Sequence, residues 1–244
     1  MSSKARFLIL SGDGINCENE SQKAVLEAGA QAQILHVNEL CRKPELLRDY
    51  QGLVFPGGFS FGDHLGSGQV LSLKMMSSLK EGLQDFIAAK KPVLGVCNGF
   101  QTLLRMGLLP QTDFARRTAL VKNTQGHFID RWVEVERNTQ SPCIWTAHLP
   151  THFFLPIRHG EGRFVCPDEN VFKSLQTQGQ IALRYTTDVN GSRDLIAGIC
   201  DPTGLVFALM PHPEAALFDW QVPVTGQKAF GLSFFKSAVD YLRS

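Results

Sequence analysis

A lone cysteine lies between two glycines in the stretch GVCNG, residues 95–99, where an apolar run gives way to a helical pattern. This is a cysteine form of the G-x-S-x-G motif, in which a sharp strand-to-helix turn exposes a nucleophile. The helix N-terminus beside Cys97 favours the thiolate, and the backbone N–H of Asn98 is placed to bind an oxyanion. The motif favours a nucleophile over the alternative, a buried structural cysteine, but it leaves the substrate open.

A cysteine nucleophile needs a base and a group that orients this base. Among the seven histidines, only His212 lies in a setting with its own geometry, the stretch MPHPE at 210–214. The two prolines forbid a helix, and in an extended chain His212 and Glu214 project to the same side. The segment follows a predicted strand, where open α/β sheets place their sites. We predict that His212 is the base and Glu214 its orienting partner; the alternative is a solvated proline-rich turn.

A glycine-rich loop, VFPGGFSFGDHLGSG at 54–68, follows another predicted strand. Glycines in this position let backbone N–H groups turn towards a phosphate or an oxyanion. The sequence contains no P-loop motif, and GDGINC at 12–17 lacks the third glycine of a dinucleotide-binding fingerprint. We therefore expect the amides of Gly57 and Gly58 to contribute to an oxyanion hole.

The elements that position these residues follow an α/β pattern. Strands and helices alternate, with strands predicted at 5–10, 33–37, 52–55 and 92–96 and helices at 18–28 and 71–89. This alternation predicts a mostly parallel open sheet with helices on its faces, a three-layer α/β fold. Antiparallel strands are predicted in the C-terminal half, at 128–136, 196–200 and 205–210, with a closing amphipathic helix at 227–242. We predict a single domain over residues 1–244.

Composition restricts the class of protein. The 244 residues are 43% hydrophobic and 19% charged, with a formal net charge of +1, which gives no support for a nucleic-acid or membrane-surface partner. No apolar run approaches the roughly 20 residues of a membrane span, and the N-terminus does not fit a secretory signal. The six cysteines are scattered without a C-x-x-C pair, so neither a metal site nor disulfides are expected. We expect a cytoplasmic protein.

Together, the cysteine turn, the distant His-x-Glu and the glycine loop resemble the class I, triad-type glutamine amidotransferases, over residues 5–242. The resemblance implies a flavodoxin-like open sheet. It is most specific for the glutaminase subunits of phosphoribosylformylglycinamidine synthase, from purine biosynthesis. The stretches that carry it are GDGINCENE (12–20), PGGFSFGDHLGSG (56–68), GVCNGFQTLL (95–104), HGEGRF (159–164), NGS (190–192) and MPHPEA (210–215), with ALVKNTQGHFIDRW (119–132) similar to the long single-chain versions.

The resemblance implies a role for each matching residue. Cys97 attacks the glutamine amide and forms a glutamyl thioester, while His212, oriented by Glu214, acts as base and then as acid for the leaving ammonia. The amides of Gly58 and Asn98 form the oxyanion hole. The ammonia passes to a separate synthetase subunit that uses ATP to convert formylglycinamide ribonucleotide into the amidine. The implied partners are L-glutamine, this large subunit and a small bridging subunit; no cofactor is expected in this chain, and ATP and Mg²⁺ are expected on the synthetase.

Two positions depart from the family pattern. Gly66 and Ala215 stand where the family usually has arginine, after GDxL and after HPE. Neither is a triad member, so these departures bear on docking of the partner or on activation of the site by it. His159 of HGEG is a family feature that we interpret as a packed histidine in a glycine turn. Two other functions stay open, an amidotransferase of another pathway, and a cysteine hydrolase or an inactive binding module on the same fold.

Overall fold

A nine-stranded sheet forms the centre of the molecule in the computed structural model, which describes residues 4–244. The strands are β1 (Arg6–Ser11), β2 (Gln31–His36), β3 (Gly52–Phe55), β4 (Val93–Val96), β5 (Ala119–Val121), β6 (Ile129–Arg137), β7 (His152–His159), β8 (Arg163–Val165), β9 (Ile181–Tyr185), β10 (Ile196–Cys200) and β11 (Val206–Leu209). The helices are α1 (Glu18–Glu27), α2 (Val37–Arg42), α3 (Gln69–Ala88), α4 (Asn98–Met106), α5 (Glu169–Thr177) and α6 (Gly231–Tyr241). The strand order is β2-β1-β3-β4-β11-β10-β9-β6-β7, and β5 pairs separately with β8.

The first five strands in this order are parallel to one another. Every residue of β3, β4 and β11 is buried, as expected for strands covered on both faces. The chain moves from β1 to β2 in one direction along the sheet and from β3 to β4 in the other. Right-handed crossovers then place α1 and α3 on opposite faces. The three-layer α/β prediction is confirmed, and the carboxyl ends of β3, β4 and β11 lie side by side.

The other four strands, β10, β9, β6 and β7, add antiparallel pairs to the sheet. The Asp201 carboxylate closes the β10–β11 turn, where it accepts hydrogen bonds from the backbone N–H groups of Val206 at 2.9 Å and Thr203 at 3.2 Å. The sheet therefore has the predicted antiparallel strands in its C-terminal half. Within residues 4–244, no helix combines the length and the apolar character that crossing a membrane requires.

Two of the predicted boundaries that differ from the structure have a visible cause. The second strand ends at His36, and Val37 begins α2, because the His36 imidazole caps this helix and accepts a hydrogen bond from the Asn38 N–H at 3.1 Å. The closing helix begins at Gly231, because a turn at Gly226, with φ of +78°, precedes it. Neither shift affects the residues predicted for the site.

We expect two glycine-to-alanine substitutions to change stability in opposite directions. A Cβ atom on Gly99 would lie 2.0 Å from the Phe55 carbonyl oxygen, so Gly99→Ala should lower the free energy of unfolding by about 2–4 kcal/mol. A Cβ atom on Gly82, inside α3, would lie 3.6 Å from Leu47, an ordinary contact. Gly82→Ala should therefore raise stability by about 0.5–1 kcal/mol. Urea unfolding measures both, and equal effects would contradict the close approach of α4 to β3.

Candidate active site

Cys97 lies at a strained turn between β4 and α4. Its backbone has φ of 50° and ψ of −103°, which a non-glycine residue adopts only when its surroundings impose it. The two flanking glycines make the turn possible, because a Cβ atom on Gly95 would lie 2.9 Å from the Gly99 backbone and one on Gly99 would meet β3. The Cys97 N–H donates to the Leu209 carbonyl at 2.8 Å, which ties the turn to β11. The predicted nucleophile turn is present in the structure.

His212 and Glu214 form a buried pair next to this turn. Nδ1 of His212 lies 2.6 Å from Oε1 of Glu214, and each residue is 2% exposed. The His212 N–H donates to the Pro156 carbonyl at 2.8 Å, which fixes the residue against β7. The predicted contact is present, but its predicted geometry is wrong. Pro213–Ala215 is a single 3-10 turn rather than an extended chain, so the carboxylate curls back onto the ring.

The charge of the pair favours a protonated imidazole. Burial is the largest single influence and favours neutral His212, but the Glu214 carboxylate and the nearby sulfur atoms of Cys17 and Cys97 together outweigh it and hold the pKa of His212 well above its usual range. Because Nδ1 is engaged with Glu214, Nε2 is the nitrogen left for proton exchange, and it has no hydrogen-bond partner within residues 4–244. A base whose second nitrogen is held by a carboxylate can accept and return a proton at Nε2.

Two backbone amides beside Cys97, those of Gly58 and Asn98, make no backbone hydrogen bond within residues 4–244. Gly58 has φ of +147° and lies opposite Ile15 in an isolated antiparallel β-bridge. The hydrogen bonds of this bridge are made by the neighbouring residues: the Phe59 N–H donates to the Gly14 carbonyl at 2.7 Å, and the Asn16 N–H donates to the Gly57 carbonyl at 3.3 Å. This pattern leaves the Gly58 N–H unpaired. The N–H of Asn98 is also free, because Asn98 is the first residue of α4.

Gly57 makes room for the His212 ring. A Cβ atom on Gly57 would lie 2.7 Å from Cε1 of His212 and 3.2 Å from the Cys17 sulfur. A side chain there would displace the imidazole, so the glycine is required for packing whether or not its amide also binds an anion. The structure brings Gly57, Gly58, Asn98, Cys97 and His212 together at the carboxyl ends of β3, β4 and β11.

A cleft of about 270 Å³ opens over Cys97 and Gly58. Its walls carry charges of both signs: Lys122, Arg158, Asp63 and Glu161. Burial raises the pKa of Asp63, and the Glu161 charge raises it further. A larger cleft, about 420 Å³, lies far from the triad between Pro44–Asp49 and α3 and contains none of the predicted site residues. The smaller cleft is the candidate site because it is lined by Cys97, the predicted nucleophile.

Two residues that sequence reasoning did not place in the site lie within it. Cys17 is buried, and its sulfur lies within 4.8 Å of a His212 nitrogen and a Glu214 oxygen. Burial raises the pKa of its thiol. His159 is 2% exposed and lines the cleft beside Arg158. The position of Cys17 could have been predicted, because β1 and β3 are parallel neighbours and the loops that follow them must lie side by side.

The space beside Gly66 is filled by an arginine from α4. A Cβ atom on Gly66 would lie 2.7 Å from the Arg105 guanidinium, which donates to the Ser67 carbonyl at 3.1 Å and to the Gln69 side chain at 2.8 Å. A guanidinium therefore lies against the loop, although position 66 itself has no side chain.

Comparison with known proteins bears on this geometry. The family model of the CobB/CobQ-like glutamine amidotransferase domain matches residues 4–242. The chain belongs to this family. Among curated proteins, the amidotransferase is 39% identical to phosphoribosylformylglycinamidine synthase subunit PurQ of Methanococcus maripaludis, with 97% of each chain covered. It is 35% identical to the protein of that name from Dehalococcoides mccartyi, with 99% of each chain covered.

Solved structures agree with the fold of the amidotransferase. A chain in the structure of PurLQS from Thermotoga maritima is 31% identical and superposes with a TM-score of 0.80, covering 98% of this chain and 99% of that one. A putative GMP synthase subunit from Thermoplasma acidophilum, 16% identical with a TM-score of 0.63, covers 98% of this chain and 94% of its own. This second likeness shows the fold alone.

Proposed function

We propose that this amidotransferase is the glutaminase subunit of phosphoribosylformylglycinamidine synthase. It hydrolyses L-glutamine to glutamate and ammonia and supplies the ammonia to a separate ATP-dependent synthetase subunit. The observation that carries the chemistry is the convergence of Cys97, at its strained turn, with the buried His212–Glu214 pair. The near full-length likeness to proteins named PurQ supports the purine synthase over another amidotransferase pathway.

The reaction follows from the positions of the protons. The Cys97 proton passes to Nε2 of His212, where the Glu214 carboxylate stabilises the imidazolium, and the sulfur then attacks the carboxamide carbon of glutamine. The oxyanion that forms is held by the amides of Gly58 and Asn98. His212 then donates its proton to the nitrogen, and the C–N bond breaks to give ammonia and a glutamyl thioester. Water, deprotonated by the same imidazole, hydrolyses the thioester and restores the Cys97 thiol. Glu214 stabilises the imidazolium in each half of the cycle.

The charged walls of the cleft suit the other end of the substrate. Free glutamine carries an α-ammonium and an α-carboxylate, and the cleft offers Asp63 and Glu161 to the first and Lys122 and Arg158 to the second. A peptide-linked glutamine lacks both charges and would leave these groups unpaired, at a cost in binding. The proposal is therefore a site for the free amino acid.

The ammonia has to be consumed by a partner. The proposed partners are the large synthetase subunit, which would hold ATP and Mg²⁺, and a small bridging subunit, with no cofactor in this chain. The cytoplasmic location expected from the sequence stays a prediction of this proposal.

Labelling with a diazoketone analogue of glutamine tests the proposal. The reagent should add one glutamyl-type adduct per chain, on Cys97, and excess glutamine should slow the labelling because both compete for the cleft. Cys41, which is half-buried and does not line the cleft, should stay unmodified and serves as the internal control. An adduct formed only after the synthetase subunit is added would show a partner-gated site. The absence of an adduct with and without that subunit would rule out the glutaminase.

A further inference from the structure

One buried histidine of the cleft has no part in the triad, and its tautomer is fixed by its neighbours. His159 Nδ1 lies 3.1 Å from Oδ1 of Asn123. The same oxygen accepts a hydrogen bond from the backbone N–H of Gly162 at 3.1 Å. The side-chain nitrogen of Asn123 donates to the backbone carbonyls of His159, at 2.8 Å, and His127, at 3.1 Å. These bonds leave one orientation for the Asn123 amide, so Nδ1 of His159 must carry the hydrogen.

The second ring nitrogen, Nε2, is therefore a bare acceptor. It is buried and has no hydrogen-bond partner within residues 4–244. The ring cannot turn away, because Gly162 packs directly on it and a Cβ atom there would lie 2.3 Å from Nδ1 and Cε1. A buried acceptor without a partner costs free energy, unless a ligand supplies the missing donor. The second glycine of HGEG thus fixes the ring of a residue that lines the cleft and whose Nε2 is left without a donor.

The ring also stays neutral, so it can accept a hydrogen bond without taking a proton. Burial, with the nearby charge of His212, lowers the pKa of His159 to about 4. His159 lines the same cleft as Cys97, and the carbonyl of the preceding residue, Arg158, accepts a hydrogen bond from the Cys97 thiol at 3.5 Å. Nε2 of His159 therefore belongs to the reacting end of the cleft, whereas Asp63 and Glu161 supply carboxylates for an α-ammonium.

We propose that Nε2 of His159 accepts a hydrogen bond from the carboxamide nitrogen of glutamine and keeps it as this nitrogen leaves as ammonia. The inference rests on the proposed glutaminase function and adds a second group at the leaving atom. His212 delivers the proton that breaks the C–N bond, and His159 only accepts a hydrogen bond, so no proton passes to it. This contact would turn the nitrogen lone pair towards His212. Because Nε2 of the neutral His159 ring carries no proton, it cannot protonate the departing nitrogen, which leaves as uncharged ammonia.

Two substrates and two variants separate this role from a structural one. L-Glutamate γ-methyl ester keeps the amino acid end of glutamine but replaces the leaving N–H₂ by oxygen. His159→Asn retains a polar group near Asn123 and loses the acceptor at Nε2, whereas His159→Gln places an oxygen close to Nε2. We expect His159→Asn to lower kcat/KM for glutamine by about 10- to 30-fold and for the ester by less than about 3-fold. His159→Gln should recover most of the glutamine activity.

The quantity compared is the ratio of kcat/KM for glutamine to kcat/KM for the ester, measured on one sample with the synthetase subunit added. This ratio does not depend on the fraction of folded protein. The control is His148→Asn, at an exposed position beside Asp240, which should leave the ratio unchanged. Equal losses for both substrates would overturn the inference, since His159 would then act on folding or on the amino acid end. Wild-type protein that hydrolyses neither substrate would overturn the proposed function, and this inference with it.

Discussion

Replacement of Cys97 by serine is expected to lower kcat/KM for glutamine by about 10⁴-fold or more, since the whole thioester route depends on this sulfur. The hydroxyl of serine fits the same space but is a far weaker nucleophile without redesign of its surroundings. The strained backbone at this position is imposed by Gly95, Gly99 and the bond to Leu209, so the substitution should leave the turn intact. Steady-state glutamate release measures the loss. Cys41→Ser is the matched control and should retain full activity.

The same variant tests whether ammonia is delivered to a partner. In a complex with the synthetase subunit, Cys97→Ser should abolish glutamine-dependent synthesis but retain synthesis from added ammonium salt. The physical reason is that exogenous ammonia enters after the step that the sulfur catalyses. Loss of the ammonia-dependent reaction as well would contradict the delivery model, because the substitution is confined to the glutaminase site.

The nucleophile turn could be predicted from sequence because its causes are local. The apolar run of β4, the two glycines and the helical pattern of α4 lie within one short stretch, and the close approaches at Gly95 and Gly99 explain why no other residue fits. The pairing of His212 with Glu214 was predictable for the same reason, although the 3-10 turn that brings them together was not. Residues two apart can meet through either geometry, and the sequence pattern does not distinguish them.

The remaining parts of the site depend on contacts between distant segments. His159 ends β7, a strand that contains Pro156, and its ring is fixed by Asn123 from a loop before β6. Neither partner carries a sequence pattern that points to the other. β7 and β9 were not predicted. β9 is almost entirely buried, so its sequence does not alternate between apolar and polar residues. HGEG could be recognised as a motif, but the bare nitrogen is visible only from the orientation of the Asn123 amide.

Replacement of Glu214 by glutamine is expected to lower kcat/KM for glutamine on the order of 10²-fold or more, because it removes the charge that stabilises the imidazolium. The glutamine oxygen can still accept the Nδ1 hydrogen, so the ring should stay in place and the loss should fall mainly on kcat. Thermal unfolding checks that the fold persists. Glu136→Gln, at an exposed position of β6, is the matched control and should change nothing.

The pH profile of Glu214→Gln gives the sharper test, because its direction follows from the charges around His212. In the wild type burial alone would lower the pKa of His212, but the carboxylate, together with the sulfur atoms of Cys17 and Cys97, holds it well above its usual range. Without the carboxylate, burial is less opposed and the pKa falls, so the imidazolium that protonates the leaving nitrogen is lost at lower pH. The alkaline limb of kcat/KM, measured between about pH 6 and 10, should therefore move to lower pH in the variant. A limb that stays fixed or moves upward would mean that another group carries this proton, and the role of His212 as the acid would have to be abandoned.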